Sequence, residues 1–149
     1  MPNWIYNKCT IYHSDINKIN AIYSKLKNKE VLKLFNTIRP RPQDQDSNWY
    51  EWNTDMWGTK WDAHDINEWE LLDDNTLYIT FNTAWCPPIK LYDYMLNEKY
   101  SVNASFEEEC KGPLYGTWSD GIFTELEHNE NDMDCYNEEF PTVSWTMKY

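Results

Sequence analysis

Glycine is scarce: the 149 residues hold only Gly58, Gly112, Gly116 and Gly121. That leaves little material for a nest of amides around a phosphate, and neither a glycine-rich phosphate loop nor a G-x-S-x-G elbow is present. Cysteine is as sparse. Cys9, Cys86, Cys110 and Cys135 lie far apart and form no C-x-x-C pair. Neither a zinc site nor a disulfide framework is signalled, and free thiols are expected, with Cys9 a small core residue. No apolar run approaches bilayer length, and the opening MPNWIYNKCTIYH has neither a basic nor a continuous apolar region. A cytoplasmic protein without membrane contact is expected. Basic residues are outnumbered 13 to 25 by acidic ones, a net charge of −12. That argues against non-specific attraction to nucleic acid or anionic lipid.

Aromatic residues are abundant, with nine tryptophans and eleven tyrosines. Such rings suit boundaries as well as interiors, so some are expected to face outward. The length predicts one domain over residues 1–149. Charge is unevenly spread along it. Residues 1–43 carry eight basic residues against Asp15 and Glu30, or +6, which leaves −18 for residues 44–149. The densest acidic stretch holds Glu125, Glu127, Glu130, Asp132, Asp134, Glu138 and Glu139 with no Lys or Arg. It reads as a solvated C-terminal extension over residues 125–149, or as a docking surface for a partner with a basic face.

From Trp4 to Tyr12 the pattern alternates, with Ile5, Cys9 and Ile11 on one face, which predicts a strand with one buried side. Ser14 or Asp15 then caps a helix with Ile16, Ile19, Ile22, Tyr23 and Leu26 at helical spacing. The prolines and polar run of IRPRPQDQDSN exclude regular structure for about ten residues. Trp49, Trp52, Trp57 and Trp61 follow in WYEWNTDMWGTKW, a short helix ended by Gly58. Residues 66–72 and 76–83 read as a hairpin turned at Asp73-Asp74-Asn75. Pro87 and Pro88 suit the first turn of a helix ending near Tyr100, and a strand with Val102, Ala104 and Phe106 inward comes next. The order is that of a ferredoxin-like βαββαβ core, an antiparallel sheet with two helices on one face, within an α+β protein. A hairpin turned at Asp120-Gly121 extends it, and the terminal TVSWTMKY suits a last strand.

For chemistry the nearest cluster is Asp62, His64 and Asp65 in DAHD, residue types able to hold a metal at a common spacing. A solvated loop is the plainer reading, so no metal, cofactor or catalytic residue is assigned. Tyr6, Tyr12, Tyr78 and Trp69 offer rings on a sheet surface, but the acidic second half argues against direct nucleic-acid binding. Trp49, Trp52, Trp57 and Trp61 either roof one end of the core or form an aromatic anchor surface or pocket. In the latter case Lys60, between two indoles, neutralises an anionic ligand.

The chain resembles the YubB-type ferredoxin-like proteins of bacteriophages and conjugative plasmids. MPNW followed by Asn7, LFNTIRPRP, WGTKWDA at residues 57–63, NTAWCPP at residues 82–88 and the strand around residues 116–122 carry the likeness. The resemblance implies the same fold, a mobile-element origin and no transferable catalytic residue. It marks Trp57, Gly58, Lys60, Trp61, Asp62, Thr83, Trp85 and Pro88 as a shared surface or core. The function expected is therefore binding rather than turnover. The first expectation is a phage accessory protein that occupies a host protein, its acidic surface imitating DNA in a counter-defence role. The alternative is a protein that binds a nucleotide or other small anion through Trp49, Trp52, Trp57, Lys60, Trp61, Asp62 and Trp85. A third is a metal-dependent hydrolase on Asp62, His64 and Asp65.

Overall fold

The computed structural model describes residues 3–28, 33–109 and 115–126. β1 (Trp4–Tyr12) alternates as its sequence requires, burying Ile5, Asn7, Cys9 and Ile11 on one face. α1 (Ile16–Lys27) starts where the Asp15 carboxylate accepts the Asn17 amide at 3.0 Å. It buries Ile19, Ile22 and Leu26, while Lys25 and Lys27 sit favourably in its last turn, at the negative end of the helix dipole.

α2 is short (Leu34–Ile38), and its Leu34 and Phe35 are buried. The stretch expected to be irregular contains a 3₁₀ helix (Gln43–Asn48) that runs into α3 (Trp49–Met56). The prolines stop one residue short of it. Pro42, with φ −61°, opens the helix rather than interrupting it, and Asp44 and Asp46 lie in the first turn where the dipole favours them.

β2 (His64–Asp73) and β3 (Thr76–Ala84) form the expected hairpin around Asp74-Asn75. Trp69 stands opposite Ile79 and packs on the core, so it lies on the opposite face from Tyr78, not beside it. α4 (Ile89–Asn97) begins after both prolines, because a residue preceding proline is turned away from helical geometry and Pro88 only caps the helix. It ends before Tyr100, and Lys99 at φ 72° reverses the chain. β4 (Ser101–Glu108), β5 (Tyr115–Ser119) and β6 (Ile122–Glu125) complete the described elements, with Asp120-Gly121 turning the last hairpin.

The result is an α+β structure with a six-stranded antiparallel sheet in the order β2-β3-β1-β4-β5-β6. β1 is central, antiparallel to both β3 and β4. One cluster joins Ile19, Ile22 and Leu26 of α1 and Leu91, Tyr92 and Met95 of α4 with Leu77, Ile79 and Val102 of the sheet. Both helices therefore cover the same face. Trp118 of β5 belongs to that cluster too, its ring centroid 5.3 Å from Tyr92, so the added hairpin contributes to the core. Among the described residues no helix is long and apolar enough to cross a membrane. The terminal TVSWTMKY lies outside the described residues, as do the expected acidic residues apart from Glu125, which sits on β6.

Candidate functional site

A cleft of about 610 Å³ opens between α2, the 3₁₀ helix and α3. Trp49, Asn53 and Trp57 follow one another at four-residue spacing, so α3 and its C-terminal cap lay all three along this cleft. Lys33, Asn36 and Arg41 line it from the α2 side, and Trp61 and Asp62 close one end.

The polar groups are tied to one another. Arg41 Nη1 donates to Asn53 Oδ1 at 2.9 Å, and the Asn53 amide nitrogen donates to the Lys60 carbonyl at 2.9 Å. The Arg41 backbone amide donates to Asn36 Oδ1 at 2.9 Å. A single buried carboxamide, Asn53, thus fixes a guanidinium on one wall and the Lys60 loop on the other. Arg41 Nε also reaches Asp46 at 3.4 Å, a pair whose aspartate side is 63 % exposed and is therefore weak. The Lys60 ammonium lies 4.6 Å from the Trp61 ring centroid, within cation–π range.

Asp62 serves the backbone rather than a metal. Its carboxylate accepts the amides of Phe35 at 2.8 Å, Asn36 at 3.0 Å and Ala63 at 2.7 Å. Lys33, which opens α2, offers no capping side chain, so Asp62 caps that helix from 26 residues or more away in sequence. Burial pushes its carboxyl above the usual range, opposed by these amides and by Lys33. His64 points elsewhere, with its ring 5.0 Å from Trp4 and 5.7 Å from Trp61, and Asp65 accepts from Asn82 at 3.0 Å. The three residues of the proposed metal cluster do not converge. Among the described residues no group of three His, Cys, Asp or Glu stands where it would hold a metal ion. Asp62→Ala should lower stability by about 1–3 kcal/mol, the cost of a lost cap with orphaned amides, read as a fall in the thermal midpoint. An Asp62→Ala protein as stable as the parent would remove the capping role.

The four tryptophans of the segment divide. Trp57 is buried, its indole nitrogen donating to the Arg39 carbonyl at 3.0 Å, and forms the floor. Trp52 turns away from the cleft, meets Trp57 edge-on at 5.4 Å and packs on the core. Trp49, 37 % exposed, and Trp61 line the open walls. Within one segment, then, Trp57 and Trp52 pack inward while Trp49 and Trp61 line the cleft. Trp85, grouped with them from sequence, does not line the cleft and stands 53 % exposed. Its φ is 73°, and the Cys86 amide reaches back to the Ala84 carbonyl at 2.9 Å, a tight turn that an indole-bearing residue adopts only under strain.

WGTKWDA and NTAWCPP meet in space. The Cys86 thiol donates to the Gly58 carbonyl at 2.9 Å, and the Leu91 amide to the Trp57 carbonyl at 3.2 Å. Gly58 has φ 84°, and a Cβ there would approach the Lys90 amide nitrogen at 3.1 Å, so the position suits glycine on both counts. Thr83 continues the chain of bonds, donating to the Cys86 carbonyl at 2.7 Å while accepting from Asn7 at 3.0 Å. Lys33, Asn36, Arg41, Gln43 and Asn53 were not anticipated from sequence. One signal existed: Asn53 occupies the middle of the Trp49–Trp57 stripe, where a purely structural helix would place an apolar residue. Set against protein-family models, curated proteins and solved structures, the chain matches none of them.

Proposed function

We propose that this chain is a stoichiometric binding protein that takes a small anion in the cleft between α2 and α3, with Arg41 and Lys33 as its cationic anchors. One observation carries the reading. A guanidinium is held in place at the cleft by Asn53, in a protein whose net charge is −12. A fixed guanidinium loses little freedom on pairing and offers the forked geometry that carboxylates and phosphates match. Asp46 is the group an arriving anion displaces. The scaffold beneath is read as ferredoxin-like: the partial order β2-β3-β1-β4 and the shared face of α1 and α4 support this, with β5 and β6 extending the sheet beyond β4.

The test is a thermal-shift and calorimetric titration of the full chain with inorganic phosphate, sulfate and citrate. A ligand at a hundred times its dissociation constant raises stability by about 2.7 kcal/mol. Arg41→Ala should abolish that shift, while Asp46→Asn, which removes the competing carboxylate, should tighten binding severalfold. A melting curve unmoved by every anion would overturn the reading.

A second reading rests on the −18 carried by residues 44–149, which suits a partner with a basic face such as a nucleic-acid-handling host protein. A pull-down at low and high salt checks it, and a partner retained equally at both would remove the electrostatic account.

A further inference from the structure

The geometry points to a nucleoside monophosphate as the ligand of this cleft, its phosphate on Arg41 and Lys33 and its base against the Trp49 indole. The inference rests on the anion-binding reading above and goes on to what the anion is attached to.

Size is the first argument. A cleft of about 610 Å³ is in the middle of the range used for drug-sized ligands, and a bare oxyanion would leave most of it to water. The two walls then differ in kind. Lys33 and Arg41 stand on the α2 side, where Asp46 is paired loosely with Arg41 and the Asp62 carboxylate is taken up by backbone amides, whereas Trp49 and Trp61 add large ring surfaces to the lining. Trp49 is 37 % exposed; Tyr50 meets it edge-on at 5.8 Å, and no cation lies over its ring among the described residues, unlike Trp61, which Lys60 covers. Base–indole stacking uses the part of a ring that is left exposed and tolerates any base.

Spacing is the second argument. Trp49 and Asn53 are one turn apart on the same side of α3, about 6 Å along the axis, and Arg41 is pinned to Asn53. A pentose bridges a ring and a phosphate over a similar span. Gln43, exposed at the start of the 3₁₀ helix, also lines the cleft. A donor and acceptor in one plane is what glutamine and asparagine offer to a base edge. The charge of the whole chain supplies the limit: at −12 it repels a polyanion, so a single nucleotide fits where a strand does not.

The experiment measures dissociation constants of the full chain for the common ribonucleoside 5′-monophosphates, ribose 5-phosphate, inorganic phosphate and free adenosine, following tryptophan fluorescence and calorimetric heat. At least one monophosphate should bind about tenfold or more tighter than ribose 5-phosphate, the gain that stacking on an indole supplies. Trp49→Leu should shrink that difference to about twofold or less, the monophosphate losing far more affinity than ribose 5-phosphate. Trp49 is partly exposed, so this variant folds where a change at buried Trp57 would not. If ribose 5-phosphate binds as tightly as every monophosphate, the nucleoside is wrong and the anion site stands. If no phosphate compound binds, the anion site itself falls. If adenosine binds as well as its monophosphate, the ring is right and the cationic anchor is wrong.

Discussion

Replacing Phe35 by alanine should cost about 3–5 kcal/mol, the range for removing a fully buried phenyl ring. In a chain of this length that corresponds to a fall of roughly 10 °C in the thermal midpoint. The ring lies under α2, meeting Trp57 edge-on at 5.8 Å and Phe81 at 5.4 Å, and so joins the cleft floor to the sheet. Its backbone amide is also one of the donors that Asp62 caps. The loss should therefore reach the site. Phe35 links Trp57 to Phe81 of β3. Phe35→Leu, which keeps most of the apolar volume, should recover much of the midpoint, whereas Trp52→Ala should cost less because that ring is only partly buried. Differential scanning calorimetry of the three variants checks the ranking. A Phe35→Ala protein within about 1 kcal/mol of the parent would show that α2 repacks without its anchor.

How much of this was legible beforehand depended on whether a residue's role was local. β1, α1 and the β2–β3 hairpin follow from alternation, a capping aspartate and turn residues that all act within a few positions of themselves. Asn7 did not follow, because a carboxamide in an alternating strand counts as polar. Its buried amide is shared among the Ile5 carbonyl and, far off in sequence, the Phe81 carbonyl and the Thr83 hydroxyl. Asp62 looked like a ligand because carboxylate and imidazole stood close in sequence. Its true partners are the amides of Phe35 and Asn36, supplied by a helix whose own N-terminus lacks a cap. The cleft was visible only on its α3 side. The Trp stripe is periodic, whereas Arg41 and Gln43 sit in a proline-rich stretch whose composition announces turns but not their direction. Sequence pattern reports what a residue does to its neighbours along the chain, and this site is assembled across it.

Alkaline pH should unfold the protein with a steepness that Cys9 sets in part. The thiol is buried on the core face of β1, 3.0 Å from the Tyr92 hydroxyl, and burial pushes it up to about 12. Tyr92 is likewise raised well above its ordinary value by burial and then by the adjacent thiol. Both groups are acids that the fold holds in the neutral form. Their stabilisation is complete below the unfolded-state values, about 8.5 for cysteine and 10 for tyrosine, because neither state has then lost a proton. As pH rises past those values the unfolded chain ionises while the folded one does not. Stability falls by on the order of 1 kcal/mol per pH unit for each group, until the folded value is reached. Other contributions act in the same window, among them the growing self-repulsion of a chain already at −12. A difference measurement removes them. Urea unfolding midpoints of the parent and Cys9→Ala should be compared from pH 7.5 to 10.5. The variant starts lower, having lost a buried sulfur, but its decline above pH 8.5 should be shallower, so the two curves converge. Parallel curves would mean that the Cys9 thiol ionises as readily in the folded protein as in the unfolded chain, and that the pair it forms with Tyr92 opens to water.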